Sequence, residues 1–148
     1  MNPTITNRQA KFQYEILDRY TAGIQLTGTE VKALRQGKAS LGECYAFVSS
    51  LGEIWVKNMH IAEYSHGSHG NHLPLRERKL LLKKGEIEKI NKKLQDKGLT
   101  LVPLKVFFNE RGYAKMDIAI ARGKKLHDKR QSIKDRDQER EMRREGLK

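Results

Sequence analysis

From Lys11 the chain alternates, with Phe12, Tyr14 and Ile16 on one side and Lys11, Gln13 and Glu15 on the other. A period of two over this length predicts a half-buried strand. Ala22-Gly23 reads as a turn, after which Ile24 and Leu26 resume the alternation for a short strand. Thr27 and Glu30 stand three apart just ahead of Val31 and Leu34, the spacing of a capping box, and Gly37 supplies a stop. The helix between them keeps Val31 and Leu34 on the core side and leaves Glu30, Lys32 and Arg35 outward or at the rim. Two strands follow, over 43–49 and 53–59, joined at Ser50-Leu51-Gly52. Trp55, the only tryptophan, is expected in or beside the core.

Farther on, Leu80-Leu81-Leu82 is a short apolar run bracketed by Arg76, Arg78, Lys79, Lys83 and Lys84, and predicts another strand. Ile87, Ile90 and Leu94 share one helical face opposite Lys89, Lys92 and Lys93, predicting an amphipathic helix over 86–97 that Gly98 ends. The apolar stretch 99–108 contains Pro103, so it is an edge strand or one broken by a bulge. Asn109-Glu110-Arg111-Gly112 is a hairpin loop, and 113–121 alternates again with Met116, Ile118 and Ile120 inward. Short strands with little helix between them argue for an OB-like closed antiparallel β-barrel of about six strands with two to three helices.

At Arg122 the core pattern stops. The last 27 residues hold eleven Lys and Arg against six Asp and Glu, and only Leu126, Ile133, Met142 and Leu147 are sizeable apolar residues. Spacings of seven, nine and five do not keep one stripe in line on a helix. Opposite charges nevertheless fall three or four apart, as in Asp137 with Arg140, Glu139 with Arg143 and Glu141 with Arg144. Each such pair contributes only about 0.2–0.5 kcal/mol, too little to order a segment without a polyanion. The expected division is therefore a folded body over 1–121 and a basic tail over 122–148, disordered when free and helical on its partner.

Charge sharpens the choice of partner. Thirty Lys and Arg against 18 Asp and Glu give a net +12 over 148 residues, which points to nucleic acid or an anionic surface. No apolar run approaches the roughly 20 residues of a membrane span, and no apolar leader is apparent, so a cytoplasmic protein with no membrane partner is expected. A lone Cys44 excludes an internal disulfide framework and suits a reducing compartment; beside Tyr45 in an apolar run it reads as a buried thiol. His66, His69 and His72 recur every third residue, but in a Gly-bearing loop with no Cys or carboxylate to complete a tetrahedral set, so no metal or cofactor is expected. No activated nucleophile or paired carboxylates emerge, so catalysis is not expected. A general OB-type single-strand binder is the alternative, and it lacks a clear row of exposed aromatics.

Several stretches together carry a family resemblance. They are Asn7-Arg8-Gln9-Ala10, the run from Ala22-Gly23-Ile24 through Leu26-Thr27-Gly28-Thr29-Glu30-Val31-Lys32-Ala33-Leu34-Arg35, and Asn71-His72-Leu73-Pro74. Arg78-Lys79-Leu80-Leu81-Leu82, Gly98-Leu99-Thr100-Leu101-Val102-Pro103-Leu104-Lys105 and Gly123-Lys124-Lys125-Leu126-His127-Asp128-Lys129-Arg130 complete the set. In that order, over nearly the whole chain, they resemble the small protein B family, the SsrA-binding (tmRNA-binding) proteins of trans-translation. The resemblance implies an adaptor for rescue of stalled ribosomes that binds the tRNA-like domain of tmRNA, touches small-subunit rRNA, and meets elongation factor Tu only indirectly through alanyl-tmRNA. It implies a monomer that makes and breaks no bond. It assigns Asn7, Glu30, Lys32, Arg35 and Leu81, with Arg8, Lys11, Tyr14, Arg78 and Lys79, to the tmRNA-facing surface. In the tail it assigns Gly123, Lys124, Lys125, His127, Asp128, Lys129 and Arg130 to the vacant decoding site, with Lys134, Arg136 and Arg140 along the mRNA channel. Thr21 departs from the family, which commonly carries an acid there.

Overall fold

A computed structural model describes residues 2–66 and 70–124. In chain order the elements are β1 (Ile5–Thr6), α1 (Ala10–Gln13), β2 (Tyr14–Ile24), α2 (Gly28–Arg35), β3 (Ala39–Ser40), β4 (Tyr45–Val48), β5 (Ile54–Lys57), β6 (His60–Ile61), β7 (Arg78–Leu81), α3 (Lys84–Lys93), β8 (Leu99–Phe108) and β9 (Ala114–Gly123). All pairings are antiparallel, and β8, β4, β5, β7, β2 and β9 follow one another until β9 meets β8 again. The fold is therefore mainly β with three helices, and six strands close a ring. Strand β1 adds to β8 outside that ring, and β3 pairs with β6 separately.

Successive residues of a strand point to opposite faces, and the ring uses this to build two cores. Ala22, Ile54, Val56, Leu80, Leu101, Met116, Ile118 and Ile120 fill the main core, with Leu34 of α2 and Ile90 of α3. Their neighbours Val102 and Ala121 face the other way and bury Ala10 of α1 in a small second cluster, flanked by Tyr14, Ile16 and Leu104. Burying side chains of this kind contributes roughly 1.5–3 kcal/mol each for the larger aliphatics, so α1 is held down although its four residues are far too few for a helix to persist alone.

This second cluster explains the first departure from the pattern. The strand expected from Lys11 begins at Tyr14, and the residues before it form α1, because Ala10 rather than Phe12 goes inside. Ala22-Gly23 is not a turn: β2 runs unbroken through it, with Ala22 opposite Met116 and Gly23 opposite Lys115 on one side and Leu81 on the other. The helix expected over 86–97 spans Lys84–Lys93, its start capped from one side by Glu86, whose Oε1 accepts the Lys83 N–H at 3.1 Å. Strand β8 is no edge strand, since it pairs on both sides; Pro103 sits at a register shift between Pro103 and Lys105, so the bulge alternative holds. Trp55 is half-buried, and β9 continues two residues beyond Ala121.

The capping box of α2 is present as expected. Thr27 N–H donates to Glu30 Oε1 at 2.8 Å, and Glu30 N–H donates to Thr27 Oγ1 at 3.4 Å. Glu30, however, does not face outward. Its side chain is fully buried against Arg78, which is buried as completely. Strand periodicity gives the reason for Arg78: with Leu80 inward, Arg78 two residues earlier must share its face, and Lys79 and Leu81 must point out.

Candidate nucleic-acid interface

Where α1 lies on the outer faces of β2, β8 and β9, a cleft of about 440 Å³ opens. Ala10, Ile16 and Leu104 supply its apolar lining, Thr6 and Asn7 its edge, and Arg8, Lys11, Arg19 and Lys105 its charge, with Asp117 among them. Asn7 sets the edge: its N–H donates to the Leu104 carbonyl at 2.8 Å and its Nδ2 to the Pro103 carbonyl at 3.0 Å. Both carbonyls belong to residues at the register shift of β8, so the same irregularity that accommodates Pro103 also receives Asn7.

Among the described residues, Arg8, Lys11 and Arg19 have no carboxylate partner within 4 Å. Three such cations at one concave site have the charge that phosphate contacts need, and neutralising phosphates there would release counterions condensed on a nucleic acid. Arg19 and Lys105 were not legible as site residues, because only strand register brings them beside Arg8 and Lys11: Arg19 pairs with Ala119 and Lys105 with Asp117. Lys124, expected in the tail, closes the far side of α1. Its N–H donates to the Gln13 carbonyl at 2.9 Å and its Nζ to the Lys11 carbonyl at 3.0 Å.

The other expected contact residues separate into four groups. Lys79 and Leu81 project from the outer face of β7; Lys79 pairs with Glu53 at 2.5 Å, which holds the Glu53 carboxyl below its ordinary value. Leu81 is 46% exposed beside Gly23, where an added Cβ would meet Leu81 Cβ at 3.3 Å. A mid-run leucine left open in this way is available for contact. Lys32 and Arg35 are exposed on α2 and do not line the cleft; Lys32 sits over the Tyr64 ring and Arg35 over Phe108, each 5.5 Å from the centroid. Tyr14 is half-buried in the second cluster and pairs with Gly123 at the end of β9.

Glu30 and Arg78 form an internal cluster instead of a surface. Arg78 Nε donates to Glu30 Oε2 at 2.5 Å, and its Nη1 and Nη2 donate to the Met59 and Pro74 carbonyls at 2.6 and 3.2 Å. Arg76 Nη2 adds a bond to Glu30 Oε1 at 2.6 Å. Burial pushes the Glu30 carboxyl up, but the Arg76 bond, the Thr27 N–H and the Arg78 charge together outweigh it and hold it below the ordinary value. No signal in the local pattern distinguishes this Glu from an exposed capping residue.

His72 is also internal: Nδ1 lies 2.9 Å from Thr29 Oγ1 and Nε2 2.9 Å from the Ile61 carbonyl. Both ring nitrogens are thereby occupied, and among the described residues no group of three or more His, Cys, Asp or Glu is placed to hold a metal. Cys44 is buried, donates its thiol to the Leu41 carbonyl at 3.0 Å, and is pushed by burial up to about 12. No described helix is long and apolar enough to cross a membrane. Lys125, His127, Asp128, Lys129, Arg130, Lys134, Arg136 and Arg140 lie outside the described residues.

A six-strand ring carrying an open, cation-lined cleft on its outer face defines a small β protein built to hold a polyanion. The family model of the SmpB protein matches residues 4–148, and the chain belongs to the SmpB family. It is 55% identical over 138 residues to the SsrA-binding protein of Bacteroides thetaiotaomicron, covering 93% of this chain and 91% of that one. With the SsrA-binding protein of Allorhizobium ampelinum it shares 56% over 132 residues, 88% of this chain and 82% of the relative. A solved structure described as "tmRNA-SmpB: a journey to the center of the bacterial ribosome" superposes with a TM-score of 0.72 at 48% identity, covering 88% of this chain and 94% of that one.

Proposed function

We propose that this chain is the adaptor that brings tmRNA to stalled bacterial ribosomes, binding the tRNA-like domain of tmRNA through the outer face of its ring. The observation that carries the reading is the cleft lined by Arg8, Lys11 and Arg19, none of which has a carboxylate partner among the described residues. Its relatives' designation as SsrA-binding proteins and the likeness to a tmRNA-SmpB structure support it. A tRNA-like fold is recognised by shape, phosphates and unstacked loop bases, and the chain offers cations for phosphates and an open Leu81 for a base face.

In this reading Asn7, Arg8, Lys11, Lys32, Arg35, Lys79 and Leu81 face tmRNA, Tyr14 supports α1 beneath them, and Glu30 and Arg78 position α2 and β7 from within. The tail follows Lys124, because Arg122 and Gly123 are held in β9 and Lys124 on α1. It enters the vacant decoding site and mRNA channel, with His127 and its basic neighbours on rRNA phosphates and bases. The protein acts in the cytoplasm as a monomer, makes and breaks no bond, and meets elongation factor Tu only through alanyl-tmRNA. The test is binding of the full chain to the tRNA-like domain, an ordinary tRNA and an unstructured RNA at two salt concentrations, alongside a chain ending at Lys124. A preference for tmRNA that survives the truncation, with loss of tagging on stalled ribosomes, upholds both halves; equal binding to all three RNAs refutes the adaptor reading.

A further inference from the structure

We propose that Asp117 is the specificity-determining acceptor of the cleft. Its carboxylate takes a hydrogen bond from a ribose hydroxyl or a base N–H of an unpaired nucleotide whose phosphate lies among Arg8, Lys11 and Arg19. This rests on the reading of the cleft as an RNA site and adds to it a residue that discriminates rather than merely attracts. Among the described residues Asp117 is the one carboxylate in the lining, and it is held from both adjoining strands. Its register partner on β2, Thr21, donates Oγ1–H to Oδ1 at 2.7 Å, and its register partner on β8, Lys105, places Nζ 3.7 Å from Oδ2.

A carboxylate offers about four lone-pair positions. The Thr21 hydroxyl occupies one, and Lys105 stands beyond hydrogen-bond reach. Oδ2 therefore retains acceptor capacity on a side chain 21% exposed at the cleft. Phosphate oxygens are repelled by such a group, whereas N–H and O–H donors are not, so the cleft separates its tasks: cations for the backbone, one oriented carboxylate for a donor. A nucleotide carries both features, and a cleft of about 440 Å³ falls within the roughly 300–1,000 Å³ of small-ligand sites.

The experiment turns on a difference of sign. Asp117→Asn keeps size and an acceptor for Thr21, and matched thermal melting verifies the fold. Removing a negative charge from a cationic cleft tightens RNA binding if Asp117 acts only through its charge. If it accepts from the nucleotide, affinity of the full-length variant for the tmRNA tRNA-like domain falls about tenfold, affinity for polyuridine of similar length rises, and the salt slope is unchanged because the phosphate contacts remain. Thr21→Val, which leaves charge untouched, is expected to lose part of the same preference. Tightening toward both RNAs by Asp117→Asn, with Thr21→Val indistinguishable from wild type, overturns the proposal while leaving the adaptor reading intact. A wild-type chain that does not distinguish the two RNAs refutes the adaptor reading itself. Single 2′-deoxy substitutions in the RNA loops then assign the donor: one that abolishes the Asp117→Asn effect identifies a ribose hydroxyl, and none doing so identifies a base N–H.

Discussion

Arg78 Nε and Glu30 Oε2 lie 2.5 Å apart, 48 residues distant in sequence, and neither side chain exposes any surface to solvent. The same carboxylate accepts the Thr27 N–H at the start of α2 and two donors of Arg76 in the segment before β7. One buried acid thus ties a helix, a loop and a ring strand together, and through them fixes the exposed Lys32, Arg35 and Leu81 and the half-buried Lys79.

Glu30→Gln leaves two guanidinium groups around a neutral amide. Breaking a buried pair from one side costs about 3–5 kcal/mol, and that loss is expected in urea unfolding. A change below about 1 kcal/mol would show that Arg76 and Arg78 find other acceptors.

The pH dependence of that contribution follows from the lowered Glu30 value. A carboxyl depressed on folding contributes stability in full above its unfolded pKa of about 4.3, and loses it as pH falls through the lower folded value. The stability gap between wild type and Glu30→Gln is therefore expected to stay constant from neutral pH down to about 5 and to narrow below about 4. Stability curves by urea titration across that span check it; a gap that widens on acidification contradicts the assignment.

Leu81→Ser is expected to separate binding from folding. A leucine 46% exposed gives up little burial, so the stability cost should stay under about 1.5 kcal/mol, below the roughly 2–5 of a core leucine truncation. Affinity for the tRNA-like domain should fall at least tenfold. The reverse outcome, large destabilisation with binding intact, would assign Leu81 to the fold alone.

Arg8→Gln, Lys11→Gln and Arg19→Gln should each weaken binding to every RNA and lower the slope of log affinity against log salt by about one unit. Arg78→Gln, by contrast, is expected to lower stability rather than the slope, because its guanidinium is spent on Glu30 and two carbonyls.

With its pKa raised by burial to about 12, the Cys44 thiol has almost no thiolate near neutrality. Iodoacetamide at pH 8 is expected to leave the native chain unlabelled and to modify it fully in urea. Native labelling at the rate of free cysteine would mean that β4 opens readily.

The capping box, both hairpin turns and the run before α3 are written in neighbouring residues, and local pattern was enough to read them. Gly23 misleads because a strand glycine and a turn glycine look alike until the partner is known; here it clears space for Leu81. The burial of Glu30 and Arg78 was invisible for a different reason, since a charge goes inside only when its counter-charge arrives, and that partner is supplied by topology. Arg8 and Lys11 were found through adjacent residues in the resemblance, while Arg19 and Lys105 join them only once β2, β9 and β8 are in register.

Lys124 holds α1 by two carbonyls, and one of them belongs to Lys11, which lines the cleft. The end of β9 and the helix beside the cleft are thus fastened at one residue. Displacing α1 costs both Lys124 bonds unless Lys124 moves with it, so the cleft and the closing end of β9 hold or yield together.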